Sequence, residues 1–217
     1  MRTSEQDAQI EKLRSEWYAK GYDAVVYNFC FAHSSDSEAA ANLMNQTRVH
    51  GVPALLIHCA MHSWWDSYKN GVPKAIGPDY LGQAKAKPEL VAEWNKKHPG
   101  KAFPAWGDFT GVASVRHGAK KPIQMKVVNK DHPITKRFPE GFTTGNTELY
   151  NNVYTVEGVV PLIRGVQGKD DYIVAWTCPQ GASQVMGLST GHDVNDWKAE
   201  PFQHLVIDGI NFLAGKK

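Results

Sequence analysis

A single α/β domain built on a mainly parallel sheet is the fold class that the sequence predicts, and three observations predict it. Short apolar runs of buried-strand length recur, the first two at residues 23–31 (DAVVYNFCF) and 54–57 (ALLI). A helical stretch lies between these two with a short loop at each join, which makes a βαβ unit and therefore a parallel pair. The second run then breaks abruptly into a polar and aromatic cluster, His58-Cys59-Ala60-Met61-His62-Ser63-Trp64-Trp65. Open α/β sheets place their ligands at the carboxyl ends of such strands.

In chain order, residues 4–20 read as a helix with Ile10, Leu13 and Trp17 on one side, stopped by Gly21. After the strand at 23–31, residues 33–38 carry helix N-cap chemistry, and residues 38–50 form the next helix, closed by Gly51 and Pro53. Residues 66–107 are irregular and rich in Gly, Pro and Lys, with one short helix over 88–97. Loops of that length are functional rims or lids, or insertions. Residues 113–117 and 123–129 read as strands, the second with Ile123, Met125 and Val127 on one face, and 131–135 as a turn. Further strands are expected at 148–154, 159–166, 171–178 and 183–189, the last broken near its end by Gly187. Gly191-His192-Asp193 follows it, again at a carboxyl end. Residues 201–214 form an amphipathic helix burying Phe202, Leu205, Val206, Ile210 and Leu213. No repeat divides residues 1–217, so one domain is expected, with a partly antiparallel second half.

Composition narrows the function classes. With 217 residues, 42% apolar and 21% charged, the chain can bury a sizeable core. A net charge of +2 gives no warrant for nucleic-acid binding, and the pairs Lys96-Lys97, Lys120-Lys121 and Lys216-Lys217 read as solvated surface. No apolar run approaches the ~20 residues of a membrane span. The charged start lacks the apolar core of a signal peptide. Cys30, Cys59 and Cys178 are odd in number and each ends an apolar run, which fits reduced thiols and a cytoplasmic location.

Four polar features fall at or near predicted strand ends: His58 with His62, His117, Glu148 beside Tyr150, and His192 with Asp193. Imidazoles plus a carboxylate suit zinc or another divalent transition ion. In a helical turn His58 and His62 would share a face at i, i+4. The alternative is nucleophilic. A Cys59 thiolate at a strand-to-helix turn, with His192 and Asp193 or Glu148, would form a triad-like set, although Met61 stands where a tight elbow needs a small residue. Trp64, Trp106, Tyr150 and Trp176 flank the same segments and offer flat faces for sugar rings or for core packing.

The order of PALLIHCAMH, FTGVASVRHG, VVNKDHPITKRFPEGF, NTELYNNVY, AWTCPQGASQVMGLSTGHD and FQHLVIDGINFLAG resembles the ThuA-like (trehalose-utilisation) family, from about residue 21 to the C-terminus. The resemblance implies a flavodoxin-like fold within the class I glutamine-amidotransferase-like superfamily. It also implies a pocket lined by His58, His117, Glu148 and His192, and a place in carbohydrate metabolism. The family usually begins with a further strand and a Gly/His loop. Here only the helix at 4–20 precedes residue 23, so that strand is expected to be missing or trimmed. An exposed sheet edge left by its loss would favour a homo-oligomer.

The combined expectation is an enzyme acting on a small sugar or keto-sugar by metal-assisted hydrolysis, elimination or isomerisation. In it His58, His117 and His192 hold a divalent metal such as zinc, Glu148 and His192 are catalytic, and Trp64, Trp106, Tyr150 and Asp193 contact substrate. Cys59-dependent transfer and a non-catalytic sugar-binding domain are the alternatives.

Overall fold

Two apolar layers sandwich one six-stranded sheet in the computed structural model, which describes residues 11, 13–65 and 86–216. The elements are β1 (Val25–Tyr27), α1 (Ser37–Arg48), β2 (Ala54–Ile57), a 3₁₀ turn (His58–His62), α2 (Pro88–Lys97), α3 (Trp106–Thr110), β3 (Val112–Ala113), β4 (Gln124–Val127), β5 (Tyr154–Thr155), β6 (Val160–Gln167), β7 (Asp170–Gln180), β8 (Ser183–Leu188), α4 (Val194–Lys198) and α5 (Glu200–Leu213). The large sheet runs β1-β2-β8-β7-β6-β4, and β3 pairs with β5 apart from it.

The expected βαβ unit is present: β1 pairs parallel with β2, and β2 pairs parallel with β8. The remaining pairs, β8 with β7, β7 with β6 and β6 with β4, are antiparallel, as the second half of the sequence suggested. All four residues of β2 are buried because it has a layer on each face. Ala54 and Leu56 pack with Leu43 and Met44 of α1, whereas Leu55 and Ile57 pack with Phe202 and Leu205 of α5. Asp36 caps α1, its carboxylate accepting from the Ala39 amide at 3.0 Å.

Several local expectations are corrected. Of the helix expected at 4–20, residues 4–10 and 12 lie outside the described residues, and 13–20 form turns. Side chains of α1 capture that backbone. Asn42 Nδ2 donates to the Leu13 and Ser15 carbonyls, and Gln46 Nε2 donates to the Glu16 carbonyl at 2.7 Å. The strand expected at 148–154 shrinks to β5, with Tyr150 joined to His117 by a single bridge. Within 66–107, residues 66–85 lie outside the described residues; the helix at 88–97 is present, and a further short helix, Trp106–Thr110, begins inside the stretch expected to be irregular.

Gly187 does not break β8. The Trp176 indole of the neighbouring strand lies across it, and a Cβ there would overlap that ring. Gly187→Ala is therefore expected to cost about 2 kcal/mol or more, read as a lower denaturant midpoint.

The cysteines also depart from expectation. Cys30 and Cys59 form a disulfide, with Cα atoms 5.1 Å apart and a sequence separation of 29. The extended segment after β1 and the turn after β2 leave neighbouring parallel strands side by side, a proximity that cysteine counting cannot reveal. Cys178 is a buried free thiol. Reducing the disulfide is expected to lower the unfolding free energy by about 3 kcal/mol, from restored loop entropy in the unfolded chain. A Cys30→Ala/Cys59→Ala protein should show no response to reductant. Among the described residues, no helix is long and apolar enough to cross a membrane.

Candidate metal centre

Two adjacent parallel strands deliver the first two site residues. His58 directly follows β2, and Ser189 to His192 directly follow β8. This is the sheet edge where open α/β folds gather ligands. The chain turns sharply at His58, whose φ of 48° is left-handed. A non-glycine residue held there costs of order 1 kcal/mol, the kind of strain that concentrates at functional sites. Glu148 and Tyr150 come from the extended segment before β5, held in register by the bridges His117↔Tyr150 and Lys121↔Thr147.

The side chains converge around His58 Nε2. His192 Nδ1 lies 3.2 Å from it, and Glu148 Oε2 lies 3.6 Å from it. His192 Nδ1 is also 3.2 Å from Glu148 Oε2. His58 Nδ1 faces the Ser189 carbonyl at 3.0 Å, so that nitrogen carries the proton and Nε2 presents its lone pair to the cluster. Burial lowers the His58 pKa, which keeps the ring neutral, as a ligand must be. In a tetrahedral site with bonds of about 2.0–2.1 Å, donor atoms stand about 3.3 Å apart. The three observed separations match that spacing. Among the described residues, His58, Glu148 and His192 are the group that meets the geometry of an ion site.

The sequence predicts His117 as the third metal residue, whereas the oxygen that approaches both imidazoles is Glu148 Oε2. His117 stands on the far side of the carboxylate, its Nε2 3.6 Å from Glu148 Oε1, and Lys120 Nζ lies 3.9 Å from the same oxygen.

His62 does not share a face with His58, because the residues between them form a 3₁₀ turn rather than an α-helix. Its Nε2 meets Ser114 Oγ at 2.8 Å, and its ring stacks on Tyr150 at 3.9 Å and 3°. Burial pushes the His62 pKa down to about 3. An unfolded histidine titrates near 6.5, so the stability from a neutral, half-buried ring is complete above about pH 6.5 and is lost as the pH falls toward the lowered folded value. Acidification from pH 7 to 4 is expected to cost about 3 kcal/mol through His62, and His62→Gln should flatten that slope in urea titrations.

The substrate contacts expected of Trp64 and Trp106 are corrected, and that of Tyr150 is restricted to its hydroxyl. Trp64 and Trp106 are 2% and 0% exposed and pack on each other in the core. Their indole N–H groups donate to the Asp36 and Ala60 carbonyls. Tyr150 is 2% exposed with one face covered by His62, so no sugar can stack on it. Its hydroxyl instead lies 3.2 Å from His58 Nε2. Trp176 is likewise core, donating to the Thr110 carbonyl. Asp193 caps α4 through the Asn195 amide at 2.8 Å. Cys59 is in the disulfide, so the structure offers no thiolate there.

Asp196, which the sequence reading passed over, has the positioning role. It is buried, and its Oδ2 accepts from Thr147 Oγ1 at 2.6 Å, the His192 amide at 2.8 Å and the Gly191 amide at 3.2 Å. It thus ties the strand end carrying His192 to the residue before Glu148. The available signal was an aspartate one helical turn beyond Asp193, able to reach back over the end of β8.

Comparison with known proteins agrees with this architecture. The family model described as "ThuA: Trehalose utilisation" matches residues 16–213. A putative ThuA-like protein from Parabacteroides merdae superposes with a TM-score of 0.61 at 16% identity, over 91% of this chain and 72% of that one. A putative ThuA-like protein from Bacteroides uniformis gives 0.60 at 14% identity, over 94% and 74%. A protein of Salmonella typhimurium described as cytoplasmic gives 0.53 at 9% identity, over 92% and 74%. No curated protein sequence matches the chain significantly. The fold shared with the ThuA-like neighbours is flavodoxin-like, a mixed sheet flanked by helices. With the model spanning nearly all of the chain, and the sheet and its strand-end residues arranged as described, the protein belongs to the ThuA (trehalose utilisation) family.

Proposed function

We propose that the protein is an enzyme of sugar metabolism that acts on a sugar or keto-sugar with the help of a divalent transition ion held by His58, Glu148 and His192. The observation that carries this reading is the mutual spacing of the three donor atoms, 3.2, 3.2 and 3.6 Å, with His58 held in the ligating tautomer. Family membership supports the sugar class. When bound, the ion would polarise a carbonyl or lower the pKa of a water.

The chain's own residues supply the rest. Tyr150 keeps its proton, because burial and the neighbouring Glu148 raise its pKa, and its hydroxyl is aimed at the centre of the cluster. Once His58 Nε2 is engaged, that hydroxyl is free to donate to a ligand oxygen. Asp196 holds the His192 backbone in place. Tyr150, 2% exposed and packed against the His58 and His62 rings, covers the inner side of the cluster.

Elemental analysis of chelator-treated, reloaded protein tests the reading. Near-stoichiometric zinc or manganese is expected in the wild type, with loss in both His58→Ala and His192→Ala. No uptake by the wild type would overturn the metal assignment and leave a His–Glu acid–base site. We also propose a cytoplasmic location, the one described for the Salmonella typhimurium neighbour. That requires the Cys30–Cys59 pair to be reduced in cells, and a fully oxidised pair in thiol-trapping experiments would place the protein elsewhere.

A further inference from the structure

We propose that the ligand of this site carries a permanently charged anionic oxygen, the carboxylate of a sugar acid or a sugar phosphate, held by Lys120 at the mouth. This deepens the reading above and rests on it.

Glu148 is 5% exposed and shows two different environments to its two oxygens. Oε2 faces inward, to His58 and His192. Oε1 faces outward, to His117 Nε2 and Lys120 Nζ, whose side chains are 43% and 54% exposed. The outer side is thus basic and open to solvent, while the inner side holds the metal donors. The segment carrying Lys120 has no Asp or Glu from residue 109 to residue 130. Its register is set by the bridges His117↔Tyr150 and Lys121↔Thr147, which bracket Glu148. Position along the chain alone makes Lys120 look like solvated surface; the bridges bring it to the site.

The charge balance then points to an anion. A divalent ion with one carboxylate and two neutral imidazoles leaves a local charge of about +1, which the buried Asp196 carboxylate behind His192 offsets, and the Lys120 ammonium on the open side remains. Among the described residues, Glu148 is the acidic partner of Lys120, and committing that carboxylate to the ion leaves the ammonium for a ligand. A neutral sugar would leave the Lys120 ammonium without a counter-charge at the site. A carboxylate or phosphate placed between the ion and Lys120 neutralises it and accepts the charged N–H bonds.

The test is calorimetric titration of the zinc-loaded full-length protein with D-gluconate, D-glucose 6-phosphate and neutral D-glucose, with zinc content measured afterwards. One of the two anions is expected to bind about tenfold tighter than glucose, as a charged hydrogen bond allows, and which one identifies carboxylate or phosphate. In Lys120→Ala that preference should fall to within about twofold of glucose while zinc content stays unchanged; Lys126→Ala should leave it intact. Equal binding of all three, no anion binding up to about 10 mM, or a preference that survives Lys120→Ala would overturn the inference while leaving the metal assignment standing. Failure of the wild type to retain zinc is a separate result that overturns the metal assignment. The same titration of the metal-free protein then decides the anion site by its dependence on Lys120.

Discussion

Glu148→Gln is expected to weaken zinc or manganese binding by more than about a hundredfold, beyond what loss of an outer-sphere partner costs. The substitution keeps the volume and removes the one anionic donor, so the cluster retains two imidazoles and loses the charge that compensates the ion. The free protein should stay as stable as the wild type, because the change removes a buried charge without opening a cavity. The gain in melting temperature on adding metal should vanish, since that gain is the free energy of binding to the folded state. Turnover on any substrate found should drop with the metal. Retention of stoichiometric metal, or near-normal activity, in Glu148→Gln would overturn the role given to this carboxylate.

Asp196→Ala should have the second large effect, and on two readouts together. Three donors, Thr147 Oγ1 and the Gly191 and His192 amides, lose their acceptor in a buried place. The cost is about 3 kcal/mol in unfolding free energy, for donors left without a partner. Metal affinity should fall about 10- to 100-fold, because His192 is no longer held at 3.2 Å from its neighbours. Asp196→Asn keeps an accepting oxygen and should lose less of both. A stable Asp196→Ala protein with unchanged metal affinity would show that the β8 end is held by other contacts.

The contrast between Asp193 and Asp196 shows where reading the sequence stops. Both follow β8 within a few residues, and Asp193 drew attention because it adjoins His192. Its carboxylate turns back on its own chain as a helix cap, a local preference strong enough to decide the matter. Asp196 points inward because α4 lies over the strand end; its spacing from Asp193 allows that reach, but the packing of α4 over β8 selects it. His62 and Tyr150 teach the same lesson. The spacing to His58 suggested a shared helical face, but the left-handed turn at His58 and the 3₁₀ winding after it sent His62 against Tyr150.

By itself the sequence determined the βαβ start, the two-sided burial of β2, the amphipathic α5 and the placement of His58 and His192 after strands. Each follows from hydrophobic period, from the chemistry of caps and breakers, or from the rule that parallel strands end on one edge. The tertiary structure alone decided which polar groups meet. It put Glu148 rather than His117 beside the two imidazoles, buried the tryptophans, joined Cys30 to Cys59 and brought Lys120 to the mouth. Those outcomes depend on the register between segments far apart in the chain, and register is set by the packing of whole layers rather than by any local run of residues.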